Sequence, residues 1–211
     1  MNFSSIKNII FDLGGVIINI DFQYTFEAFA KLGDTDILKT LQKFEGLQVF
    51  KRYEMGELSD QQLRDLLRKE FNTRVSDEEI DKAWNALLMD IPPARIDLLQ
   101  NLKNKYRTFL LSNTNKIHIQ EVNEILHRST GVKNLSALFE KIYYSYEMKM
   151  SKPAVDIYFH VLKEQGLKAE ETLFVDDNKD NIEGAKAAGL KVLHVQAPQT
   201  IIELFENAKK N

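Results

Sequence analysis

The feature that most constrains this chain is a set of five short β-like runs separated by helical patterns. The runs cover residues 9–13 (Ile-Ile-Phe-Asp-Leu), 108–112, 142–145, 172–176 and 192–195. Each is brief and rich in β-branched or aromatic residues, as strands buried on both faces are. Helical patterns at 116–128, 153–165 and 180–188 lie between the later runs. Pro153 is expected in the first turn of the second pattern, with Gly166 and Gly189 stopping the second and third. Strands alternating with helices predict an α/β fold, a Rossmann-like, doubly wound parallel sheet.

One interval breaks the alternation. Nearly a hundred residues separate the first two runs, where a βα connection ordinarily takes about 2–6. That interval is patterned for helix. Phe22, Phe26, Phe29 and Ala30 recur at helical spacing, Ser59 precedes Gln61–Leu67, and Ser76-Asp77-Glu78-Glu79 is a capping-box sequence opening into Ile80, Ala83, Trp84, Leu87 and Leu88. Pro92-Pro93 closes the segment. The expected organisation is a core of residues 1–15 and 92–211 carrying a helical cap over 16–91.

Composition removes several function classes. Among 211 residues there is no cysteine, which excludes a disulfide scaffold, a Cys-ligated zinc site and a thiol nucleophile. Lys plus Arg number 28 against 31 Asp plus Glu, a net charge of −3 that suits duplex nucleic acid poorly. The first apolar run is interrupted by Asp12, Gly14, Gly15 and Asn19 and has no signal-peptide frame, and no stretch approaches a membrane span. A soluble, cytoplasmic protein is expected. The insert holds 10 basic and 15 acidic residues and the remainder 18 and 16, so an acidic cover lies over a mildly basic core. That balance suits a small anion better than a polyanion.

Polar residues gather at the C-terminal ends of the runs, the edge where open α/β sheets bind ligands. Asp12 ends the first, Ser112 the second and Asp176-Asp177 the fourth, and Lys152 stands before a helix. Carboxylates can hold a hard cation such as Mg²⁺, while a hydroxyl, an ammonium and helix N-terminal amides can bind phosphate. Together they describe phosphoryl transfer. Taken singly each has a plainer reading. A strand-end Asp caps a turn, Gly14-Gly15 marks a tight turn, Ser112-Asn113 reads as a helix N-cap, and a Lys before a Pro is a surface residue. The adjacent pair Asp176-Asp177 is the exception, because neighbouring carboxylates at a buried strand end repel and call for a cation. The four histidines show no ligand spacing and read as packing or surface residues.

The joint pattern resembles the haloacid dehalogenase-like hydrolase superfamily. Phe11-Asp12-Leu13-Gly14-Gly15-Val16-Ile17 is similar to its first motif, Leu111-Ser112-Asn113-Thr114 to its second, Ser151-Lys152-Pro153 to its third and Phe174-Val175-Asp176-Asp177-Asn178-Lys179-Asp180-Asn181 to its fourth. The motifs occur in family order around an insert of C1-cap size, and the likeness is nearest the branch that includes bacterial α-D-glucose-1-phosphate phosphatase. The resemblance implies strand order 5-4-1-2-3 and a Mg²⁺-dependent phosphatase acting on a small phosphorylated metabolite, such as a hexose-1-phosphate. It further implies that Asp12 is the nucleophile forming an aspartyl-phosphate. Asp12, the Gly14 carbonyl and Asp177 would hold the metal, with Asp176 close by or acting through water. Ser112 and Asn113 would bind the phosphoryl group, and Lys152 would neutralise it and restrain Asp12.

Gly14 departs from the family pattern, which places a general acid–base Asp there. The resemblance therefore also admits a binding or regulatory protein with little turnover, and a 2-haloacid dehalogenase as a further alternative. An active enzyme with glycine at this position is expected to favour an acidic leaving group, as in a sugar-1-phosphate. Phe50, Tyr53, Glu54 and Trp84 are cap residues that either line the site or fill the cap's own core, with Trp84 expected in the core.

Overall fold

A computed structural model describes residues 4–33 and 35–209. Five parallel strands, β1 (Asn8–Phe11), β2 (Arg107–Ser112), β3 (Lys141–Tyr144), β4 (Thr172–Asp176) and β5 (Lys191–His194), form one sheet in the order β3-β2-β1-β4-β5. This is the expected order. It sets β1 between β2 and β4, with Phe11 level with Leu110 on one side and Val175 on the other.

The central strands β1, β2 and β4 are buried on both faces because helices cover both, while the edge strands β3 and β5 are partly exposed. Alternation along β1 sends Ile9 and Phe11 to one side and Ile10 to the other. The first side packs against Pro93–Lys103, Lys116–Thr130 and Ile201–Lys209, through residues such as Leu99, Val122 and Phe205. The second packs against Val155–Gln165 and Lys179–Ala187, through Tyr158, Val161 and Ile182. In chain order the helices are α1 (Phe22–Leu32), α2 (Ile37–Leu47), α3 (Val49–Glu54), α4 (Asp60–Glu70), α5 (Asp77–Trp84), α6 (Pro93–Lys103), α7 (Lys116–Thr130), α8 (Ser145–Met148), α9 (Val155–Gln165), α10 (Lys179–Ala187) and α11 (Ile201–Lys209).

Two local expectations need correction. Pro153 does not open a helix; α9 begins at Val155, and residues 151–154 form the turn that carries Lys152. Pro93 does sit in a first turn, that of α6, where its missing N–H costs nothing. Instead of merely closing the insert, the proline pair starts a core helix.

Helices α1 to α5 build a third apolar cluster around Phe29, Phe44, Leu63, Leu67, Phe71 and Trp84. Both capping boxes are formed: Ser59 with Gln62 opens α4, and Ser76 with Glu79 opens α5. Val16, Ile17 and Ile18, expected at the start of the cap, pack with the sheet's cluster, and we propose a cap that begins after them. We place its edges at the Ile20–Leu88 bridge, where the outgoing and returning chains meet.

Candidate active site

The parallel register brings the C-terminal ends of β1, β2 and β4 to one edge, and the polar residues follow. Lys152 lies at the centre, its side chain only 1% exposed. Its Nζ is 2.6 Å from Asp12 Oδ1 and 2.7 Å from Asp176 Oδ2. Asp176 is held from other directions as well. The Asn178 N–H donates to Oδ1 at 2.8 Å, and Asn181 Nδ2 lies 3.1 Å from both oxygens. Asn178 also caps α10, so the fourth motif both ends its strand and starts its helix.

Lys152 is positioned by its backbone. Asn113 Nδ2 donates to the Lys152 carbonyl at 2.9 Å, and the Lys152 N–H donates back to Asn113 Oδ1 at 3.0 Å. This reciprocal pair ties the end of β2 to the 151–154 turn. The N-cap reading of Ser112-Asn113 is therefore displaced by two residues: Asn115 caps α7, accepting from the His118 N–H at 3.0 Å. Ser112, 2% exposed, ends β2 beside the cavity that Gly14 and Asn113 also line.

Asp12, Asp176 and Asp177 can each offer one oxygen such that all three atoms lie within 4.8 Å of one another. A divalent cation with oxygen preference fits this donor set, whereas no histidine or cysteine joins it among the described residues. Burial raises the Asp12 carboxyl to about 7, against the pull of Lys152 and with the push of Asp176. Burial and Asp176 raise Asp177 as well. Crowded, desolvated carboxylates of this kind are stabilised by a cation.

Gly15 lets this cluster form. Its φ is +67°, and a Cβ there would overlap the Asp177 carboxylate. Gly15→Ala is expected to push Asp177 out of the cluster and to cost about 1–3 kcal/mol in backbone strain. Titration calorimetry with Mg²⁺ should show binding lost in a variant that still folds; undiminished binding would show that Asp177 is not needed. At Gly14 the restriction differs. A Cβ there would sit 3.0 Å from Ile20 Cδ1, so Ile20 fills the space a side chain at position 14 would use.

The cap closes over this edge. Trp84 is fully buried, stacked between Phe50 (4.4 Å between centroids) and His118 of α7 (5.4 Å), and its Nε1 donates to Asn115 Oδ1 at 3.3 Å. Lys116 Nζ lies 3.4 Å from Asp60 Oδ2, a second cap-to-core link. Of the four cap residues singled out in the sequence, Tyr53 and Trp84 are buried in the cap cluster, and Phe50 packs against it. Glu54 alone turns to the cavity shared with Leu13, Gly14, Ser112 and Asn113. His118, also on that cavity, is held neutral: burial lowers it to about 3, and its Nδ1 pairs with Asn85 Oδ1 at 2.8 Å.

A family model described as haloacid dehalogenase-like hydrolase matches residues 6–189. The chain belongs to that family. Across 186 residues this hydrolase is 34% identical to the D-ribitol-5-phosphate phosphatase of Bacteroides thetaiotaomicron, covering 88% of this chain and 90% of that protein. It is also similar to the crystal structure of a family enzyme from the same organism in complex with magnesium and inorganic phosphate. The TM-score is 0.86 at 38% identity, over 95% of this chain and 99% of that one. A predicted family hydrolase from Porphyromonas gingivalis superposes with TM-score 0.87 at 28% identity, over 99% of this hydrolase and 100% of that chain. No helix of this hydrolase, among the described residues, is long and apolar enough to cross a membrane.

Proposed function

We propose that this hydrolase cleaves a small phosphomonoester, a sugar or sugar-alcohol phosphate, with Asp12 as nucleophile and Mg²⁺ as cofactor. The observation that carries the reading is Lys152 bridging Asp12 and Asp176 beside Ser112. It fixes one carboxylate oxygen of Asp12, and the carboxylate's other oxygen would attack phosphorus. The named relative and the magnesium and phosphate of the similar structure support it. Through that relative a polyol 5-phosphate joins the hexose-1-phosphates as a candidate, although its primary alcohol is the less acidic leaving group.

Asp12, Asp177 and the Gly14 carbonyl would hold Mg²⁺, which when bound neutralises phosphoryl charge and orients the group for in-line attack. Asp176 already accepts from Lys152, Asn178 and Asn181, so we give it the role of holding Lys152 and acting on the metal through water. Ser112 and the Asn113 amide bind the transferring oxygens. Asp12 attacks phosphorus as the ester oxygen departs, and water then attacks the same phosphorus to return Asp12 as a carboxylate. Lys152 keeps Asp12 oriented and screens the charge that builds on the phosphoryl oxygens.

Because Asp12 and Asp177 are raised in the cation-free protein, Mg²⁺ competes with protons for them. Affinity is expected to be greatest above pH 7 and to weaken as pH falls below it, read by calorimetry between pH 8 and roughly pH 5. A flat affinity across that range would place the cation elsewhere. The function itself is tested by a hydrolysis screen over sugar phosphates, polyol phosphates, nucleotides and aryl phosphates, with and without Mg²⁺. Mg²⁺-dependent turnover of a sugar or polyol phosphate supports the reading. No turnover of any phosphomonoester by folded protein would favour the binding role that Gly14 first raised.

A further inference from the structure

An alkyl phosphate poses a problem for this site. Its alkoxide is a poor leaving group, and departure without a proton is slow. Gly14 cannot supply that proton, and the space above it is taken by Ile20.

The cap supplies an acid to the same cavity. Glu54, the last residue of α3, lines it together with Gly14, Ser112 and Asn113. Among the described residues nothing hydrogen-bonds or ion-pairs with its carboxyl group; its neighbours act on it through burial and through the charges of Asp12 and Lys152. The chain around it is pinned to the core. Gly56, at φ +66°, packs so close to the Tyr146 carbonyl that a Cβ would overlap it, and Tyr53 OH donates to Asp60, which is near Lys116. An unpartnered carboxyl thus faces the cavity that Gly14, Ser112 and Asn113 line, on a backbone fixed to the core.

We propose that Glu54 is the proton-transfer residue of this enzyme, replacing from the cap the acid–base group absent at position 14. The proposal rests on the phosphatase reading above. In the first step Asp12 bonds to phosphorus and the P–O(ester) bond breaks, its electron pair leaving with the ester oxygen. Glu54 gives that oxygen its proton, so the products are an alcohol, an aspartyl-phosphate and a Glu54 carboxylate. In the second step that carboxylate takes a proton from water as the water oxygen bonds to phosphorus. The P–O(Asp12) bond breaks, its electrons return to Asp12, and inorganic phosphate leaves with Glu54 protonated again.

The protonation state fits both steps. Burial raises Glu54 to about 7, Asp12 adds to the rise, and Lys152 opposes it. A carboxylate at a helix C-terminus is further disfavoured by the helix dipole. His118, facing the same cavity from α7, is too weak a base to hold the proton.

The test compares Glu54→Gln with wild type on p-nitrophenyl phosphate, whose phenolate needs no proton, and on D-ribitol 5-phosphate or another alkyl phosphate that wild type accepts. For the alkyl ester kcat/KM should fall by about 10²–10⁴. For the aryl ester kcat/KM should change less than about tenfold, while kcat falls and a burst of nitrophenol reveals accumulated phosphoenzyme. Glu54→Asp, which keeps an acid, should recover part of the alkyl activity. Equal loss of kcat/KM on both esters, or no loss on either, would overturn the proposal while leaving the phosphatase reading intact. Failure of wild type on every phosphomonoester would refute that reading, and the proposal with it.

Discussion

Asp12→Asn is expected to abolish turnover while leaving the fold intact. Asparagine keeps the shape of the side chain but not the anionic oxygen that would attack phosphorus, so kcat should fall by a factor on the order of 10⁴ or more. Stability should barely change. Lys152 retains Asp176 at 2.7 Å, so no buried charge is orphaned, and one of the crowded carboxylates is removed. The measurement is steady-state hydrolysis alongside urea denaturation. Residual activity within about tenfold of wild type would exclude Asp12 as the nucleophile.

Lys152→Met should produce the opposite balance, damaging both properties. It removes the only cation contacting Asp12 and Asp176 among the described residues and leaves two carboxylates facing each other in a buried site. Loss of one partner from a buried pair costs about 3–5 kcal/mol. The change should also lower kcat by about 10²–10³, since phosphoryl charge then lacks its ammonium. Mg²⁺ should restore part of the lost stability by supplying positive charge near the same carboxylates. It should not restore the rate, because Asp12 is no longer oriented. Unchanged denaturation midpoints with and without Mg²⁺ would show that the Lys152 contacts contribute little.

The sheet was legible because its strands are short, apolar runs, buried at the centre of the sheet, and separated by patterned helices. Its order was implied by the family resemblance, and it meets a chemical demand, that Asp12 and Asp177 share one place. The extents of α7 and α10 were nearly right from their apolar spacing and, for α10, from Gly189, whereas the capping residues Asn115 and Asn178 went unread. Helix α6 had a signal too, Pro93 ahead of Ile96, Leu99 and Leu102, but the proline pair reads equally well as a stop. The 151–154 turn was not legible. Its shape depends on Asn113, a partner 39 residues away, rather than on the proline beside it.

The same divide runs through the site. The strand-end carboxylates could be expected together because topology carries them to one edge, and Asp12, Asp176 and Asp177 do converge there. The residues that hold them were missed: Asn181 on Asp176 and the side chain of Asn113 on Lys152 act through space, and short polar side chains in helices or loops have no periodic mark. Tyr53 and Glu54 show the limit most clearly. They are consecutive, both follow Lys51-Arg52, and one fills the cap while the other faces the cavity. A helix turns about 100° per residue, so only the position of α3 over the core decides which of the two meets the substrate.

The central claim is that phosphorus passes through a covalent bond to Asp12. Rapid acid quench of wild-type enzyme during turnover of an aryl phosphate, followed by peptide mass analysis, tests it directly. The account predicts a phosphoryl adduct on the peptide bearing Asp12, present at early times, more abundant in Glu54→Gln and absent from Asp12→Asn. Turnover without any adduct or burst, or an adduct carried by Ser112 instead, would contradict it.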